Sequence, residues 1–177
     1  MKKIVVTGVL FLLMSTAYAD NTYVGLSYSS LDVELDAGGI TADSEPSGIN
    51  LVLGNSVSEN ISFEGLFGFG IGDDEVENAG FDFELKHVIG FSAVGRLPIS
   101  EAISLYGKLG IAQVKYDDSD GDSSDASGVM YGIGAAFDIT EQFGLNLEYI
   151  QYPEGEYDDF DIDVEASALN AGLYFKF

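Results

Sequence analysis

The sequence has no cysteine, three prolines, one histidine and seven lysines and arginines in 177 residues. Each shortage removes a class of protein. Without cysteine there is no disulfide framework and no thiolate metal site, so an exported chain must be stable by other means. Seven bases against 30 acids, a formal net charge of −23, leave nothing to bind nucleic acid, whose phosphates are held by Lys and Arg. Long apolar runs are missing too. The longest, Ile4 to Met14, falls short of the ~20 residues a membrane-spanning helix needs. Past residue 19 no apolar pattern recurs at i, i+3, i+4 and i+7, so helices are not expected.

What is present begins with an export signal. Lys2 and Lys3 precede the apolar run, and Ala17-Tyr18-Ala19 is the small-x-small pattern that signal peptidase cuts. Residues 1–19 are read as a signal peptide and 20–177 as one mature domain. That domain keeps Lys86, Arg96, Lys108, Lys115 and Lys176 as its bases, beside all 30 acids. High charge with little apolar content would mean disorder, but 46% of residues are hydrophobic.

Those apolar groups follow period 2, the signature of strands with two unlike faces. Eight segments show it: 22–36, 47–55, 61–72, 81–98, 103–117, 127–140, 143–152 and 161–177. Three connections are short (56–60, 98–102, 139–142). Four are longer and acidic (37–46, 73–80, 118–126, 153–161). The two kinds alternate, as in an up-and-down meander with one confined end and one free end. In 61–71, Ile61, Phe63, Phe67, Phe69 and Ile71 oppose Ser62, Glu64, Leu66, Gly68 and Gly70. A soluble barrel would carry bulky charge on the face opposite its apolar one. Glycine and serine suit instead the narrow interior of an eight-stranded barrel, with the apolar face in lipid. The predicted fold is therefore all-β: an eight-stranded antiparallel up-and-down transmembrane β-barrel.

The chain ends in "LNAGLYFKF", an alternating strand that finishes on Phe177. With the signal, the eight strands and the turn alternation, this ending resembles the small outer-membrane β-barrels of the OmpA transmembrane-domain, OmpX and opacity-protein type. The resemblance implies the outer membrane of a Gram-negative bacterium, and a last strand read by the outer-membrane insertion machinery. The peptidoglycan-binding domain of the OmpA type is not expected to have a counterpart here. Outer-membrane lipid and lipopolysaccharide are the expected surroundings, no cofactor is expected, and a monomer is.

With the first strand running outward, 23 acids fall on the outer loops and adjoining strand ends, four at the inner end, and Glu64, Asp138 and Glu148 inside. Lumen-facing Glu64, Glu84, Lys86, Arg96, Lys108, Asp138 and Glu148 should pair, because unpaired buried charges cost several kcal/mol. Such a network is either a static plug or a gate. The stretch "YDDSDGDSSDAS" resembles an EF-hand loop superficially; aligned on Gly121 it lacks the final bidentate glutamate, having Ser127 there. A loose divalent-cation site at Asp118, Asp120 and Asp122 is the remaining metal expectation. Some small outer-membrane barrels modify lipid A, and a resemblance to those would imply a catalytic His with a Ser. His87 is followed by Val88 and lacks both a nucleophile and an orienting group, so no enzyme is expected. Two roles remain: a structural or surface-interaction barrel that presents acidic loops, or a narrow low-conductance pore for small solutes.

Overall fold

The computed structural model describes residues 21–36, 41–72, 74–75, 82–118, 123–157 and 162–177. They form strands alone: β1 (Thr22–Asp36), β2 (Thr41–Ser44), β3 (Ser47–Ser56), β4 (Ile61–Gly72), β5 (Asp74–Glu75), β6 (Asp82–Pro98), β7 (Ile103–Asp118), β8 (Ser123–Asp138), β9 (Phe143–Gln151), β10 (Gly155–Tyr157) and β11 (Ile162–Lys176). Eight of them, β1, β3, β4, β6, β7, β8, β9 and β11, pair antiparallel in sequence order. The wall closes where β11 returns to β1, from Tyr23 opposite Lys176 to Asp36 opposite Asp163. The predicted eight-stranded barrel is the observed fold. Closure is what the apolar outer face demands, since an open edge would leave backbone groups unpaired in lipid.

Three short strands correct the expected loops. β2 continues the line of β3, with Val33 opposite Ser44 and Ser30 opposite Ser47 in one unbroken register. Proline cannot donate, and the break falls at Glu45-Pro46; the Pro46 carbonyl still accepts from Leu31 N at 2.9 Å. β5 prolongs the β4–β6 hairpin, β10 prolongs β9 along β11, and β8 already starts at Ser123. Residues 41–44 and 155–157, taken above as loop, are thus strand. Asp and Glu have low strand propensity, which hid these extensions.

The barrel has two storeys. On lower β1, Leu26 and Tyr28 point out while Tyr23 and Ser27 are buried inside. Higher up the chemistry reverses: Asp32 and Glu34 are exposed outside, and Leu31 and Val33 are buried inside. β11 mirrors this, with Leu169 and Leu173 outside below, Glu165 outside above, and Val164, Ala166 and Ala168 inside above. The 15 residues of β1 rise about 38 Å at roughly 3.3 Å per residue and ~40° tilt. An outer-membrane apolar band is only ~25 Å tall. The upper storey stands clear of it and packs like a water-soluble barrel. Phenylalanines mark the opposite rim, where Phe175 and Phe177 meet edge-on at 5.2 Å between ring centroids.

Inside the lower storey, three tyrosines lie flat on three glycines. Tyr23 faces Gly54, Tyr106 faces Gly134 and Tyr174 faces Gly144, each directly across a strand pair. A Cβ at any of these glycines would overlap the tyrosine ring. The glycines are the seats that let large rings fit a narrow lumen.

Candidate functional site

The lower interior is a polar chamber built around Lys108 of β7. Its Nζ lies 2.7 Å from Glu64 Oε2 of β4 and 2.6 Å from Glu148 Oε2 of β9. All three side chains are buried, the least so at 9% exposure. Each stands on the inward parity of its strand, and β7 lies between β4 and β9 round the wall, so one cation is shared by two carboxylates across the lumen. The other carboxylate oxygens are used as well. Tyr23 OH donates to Glu64 Oε1 at 2.6 Å, and Asn170 Nδ2 donates to Glu148 Oε1 at 3.4 Å. Asn50 Nδ2 donates in turn to Asn170 Oδ1 at 3.2 Å.

A second cluster sits at the short-turn end. Asp138 accepts from Tyr174 OH at 2.6 Å and from Lys176 Nζ at 2.5 Å. Half-buried Arg96 lines the space between the clusters. Glu64, Glu148 and Asp138 are thus matched by Lys108, Arg96 and Lys176. Balance matters because removing one member of a buried pair costs about 3–5 kcal/mol. The free space left is a cavity of about 40 Å³, room for about three waters at roughly 10–15 Å³ each.

Above the chamber the lumen is filled with hydrocarbon. Leu31, Val33, Val88, Val114, Met130, Ile150 and Val164 are each 2% exposed or less and form one cluster with Tyr152. Burial, followed by the charge of Glu148, pushes the Tyr152 phenol well above the usual tyrosine range, and its hydroxyl meets the side chain of Asn50. This core is apolar, buried and shared by strands all round the barrel.

The structure brings Glu64, Lys108 and Glu148 together and places Arg96 and Asp138 beside them. Lys86 is a correction. The β6–β7 register slips between Leu85 and His87, and this β-bulge turns Lys86 to the exposed outer surface while Leu85 and Val88 stay inside. A bulge flips every residue beyond it to the other face, which period-2 counting cannot foresee. The Glu84 side chain, Asp120 and Asp122 lie outside what is described, and Asp118 ends β7. His87 is half-buried, opposite Lys115 on β7 and Phe69 on β4. Sequence reasoning missed the three tyrosines and Lys176; their signal was Tyr and Lys on an otherwise small inward face. Among the described residues no group of three or more acidic, His or Cys side chains is placed to hold a metal ion.

The model of the outer membrane protein beta-barrel domain matches residues 4–177. The chain belongs to this family. Solved structures of the same fold include Neisserial surface protein A, at 16% identity and a TM-score of 0.65 over 88% of this chain and 97% of that one. Ail, the attachment invasion locus protein of Yersinia pestis, is 23% identical, with a TM-score of 0.54 over 88% of this chain and 99% of that one. The N-terminal β-barrel domain of Pseudomonas aeruginosa OprF is 11% identical, with a TM-score of 0.52 over 86% and 97%. No curated protein matches the sequence. The barrel's place is therefore the outer membrane of a Gram-negative bacterium, with the apolar belt of the lower storey in the bilayer.

Proposed function

We propose that this barrel is a non-conducting anchor that holds a stiff acidic crown outside the cell, with a structural or surface-interaction role rather than an enzymatic one. The observation that carries the reading is the buried apolar core of the upper storey. A solute or hydrated ion passing through would have to displace Leu31, Val33, Met130 and Ile150, all buried in close packing. Beneath it, the Glu64–Lys108–Glu148 triad spans the lumen. The alternative, a narrow low-conductance pore, has the water-sized chamber in its favour.

The crown follows from the upper storey's outer surface. Asp32, Glu34, Glu45, Glu154 and Glu165 are exposed, and Glu34 lies directly opposite Glu165 across the β1–β11 seam. Like charges opposed in this way repel, so the surface suits a cationic partner, or divalent ions that bridge it to lipopolysaccharide phosphates. Ail has been crystallised with sucrose octasulfate, a heparin analogue; an acidic crown is the wrong sign for that ligand. Removal of residues 1–19 and delivery through the insertion machinery by β11 complete the proposal. Planar-bilayer recording on purified protein tests it. Closed baselines are expected, and steady solute-permeable openings would overturn it in favour of the pore.

A further inference from the structure

The bilayer-facing wall is not uniform. A groove of about 610 Å³ runs across β6, β7, β8 and β9 on the outside of the lower storey. Its floor is Gly95 and Gly107, directly opposed across β6 and β7. Leu97 and Leu105 wall it on the short-turn side, and Ile133 and Tyr149 wall it on the other. These floor glycines differ in kind from the tyrosine seats. A Cβ on Gly95 would meet nothing within 4 Å, and one on Gly107 only a backbone oxygen at 3.8 Å. The barrel's own packing therefore does not require glycine at either place. Elsewhere the belt is filled by large apolar side chains such as Phe67, Phe91, Leu109 and Ile111.

We infer that this groove holds one acyl chain of an inner-leaflet glycerophospholipid. The groove is continuous with the lipid-facing belt, so its occupant is hydrocarbon; water would gain no hydrogen bonds there. It opens beside the short turn Ile99–Ala102, where Ile99 N bonds Ile103 O. That is the periplasmic end of a barrel with short turns on one side, which selects the inner leaflet over lipid A. A second barrel is a poor fit, because a broad sheet face cannot enter a cleft walled by projecting leucine, isoleucine and tyrosine. A single flexible chain can. Lipid tails are as apolar as leucine, so the hold comes from contact rather than from hydrophobic transfer. An empty cleft would forfeit those dispersion contacts outright.

The test is native mass spectrometry of the full barrel, purified from membranes and exchanged through a delipidating detergent. Wild-type protein should retain one glycerophospholipid at a detergent step that strips Gly95→Leu/Gly107→Leu, whose side chains fill the groove. Ala93→Leu, an exposed belt position outside the groove, should behave as wild type. Heat-modifiable gel mobility verifies that all three are folded barrels. Equal stripping of wild type and the filled variant would overturn the inference, and so would retention of lipid A in place of a glycerophospholipid.

Discussion

Replacing Lys108 by methionine keeps an unbranched side chain one heavy atom shorter and removes its charge. Glu64 and Glu148, which now sit 2.7 and 2.6 Å from one ammonium, would face each other across the lumen with no shared cation. Tyr23 OH would still serve Glu64 and Asn170 would still serve Glu148, but neither carries positive charge. The expected loss is about 3–5 kcal/mol, the cost of leaving a buried charge uncompensated. Set against a typical total of about 5–15 kcal/mol, that is a large fraction of the fold's stability. At a urea m-value of roughly 2–3 kcal/mol/M the midpoint should fall by about 1–2.5 M. The chain has no tryptophan, so unfolding in lipid vesicles is followed by far-UV circular dichroism and by gel mobility. The triple variant Glu64→Gln/Lys108→Met/Glu148→Gln separates charge from shape. It should recover to within about 1 kcal/mol of wild type, because a neutral replacement of a whole buried ion group is often tolerated. A Lys108→Met midpoint within about 0.3 M of wild type, or a triple variant worse than the single one, would refute the argument that the triad is held together by its charges.

Four further outcomes are expected. Leu109 is 63% exposed in the middle of the belt, so Leu109→Arg should cost on the order of 2–4 kcal/mol in vesicles, while Ser127→Arg, exposed near the belt's outer rim, should cost far less. Met130 is 1% exposed inside the upper storey, and Met130→Ala should cost about 2–5 kcal/mol; a neutral result in the same urea melts would mean that the upper storey is not a packed core. Millimolar calcium should raise the melting temperature in detergent more than sodium at matched ionic strength, and less so in Glu34→Gln/Glu165→Gln or in Asp118→Asn/Asp120→Asn/Asp122→Asn; identical melts in the two salts would leave the crown simply solvated. Deleting Phe177, whose N donates to Thr22 O at 2.9 Å where the barrel closes, should deplete inserted barrel in membrane fractions, and normal surface levels would count against β11 as the insertion signal.

Local pattern was enough for the architecture. Which face of a strand is apolar is written every second residue, so Phe63, Phe67 and Phe69 on one side of β4 and Ser62 and Glu64 on the other told lipid from lumen before any coordinates. Alternating short and long connections told one end of the barrel from the other. The candidate site was legible only as a set of inward charges. Which carboxylates share Lys108 depends on how far each strand slides along its neighbour, and register across eight strands is a property of the closed wall. The same non-local register seats Tyr23, Tyr106 and Tyr174 on their glycines. It also put Lys86 outside, because a single bulge reverses the parity that a sequence count assumes constant. The extensions at 41–44, 74–75, 123–126 and 155–157 were misread as loop for a related reason. Their polar, acidic sequence looks like solvated loop, and only tertiary structure gathers Leu31 and Val33 of β1, Val114 of β7, Met130 of β8, Ile150 of β9 and Val164 of β11 into the one buried cluster beside them. Hydrophobic burial there overrides weak local propensity, extends the strands past the membrane, and closes the barrel with a core rather than a channel.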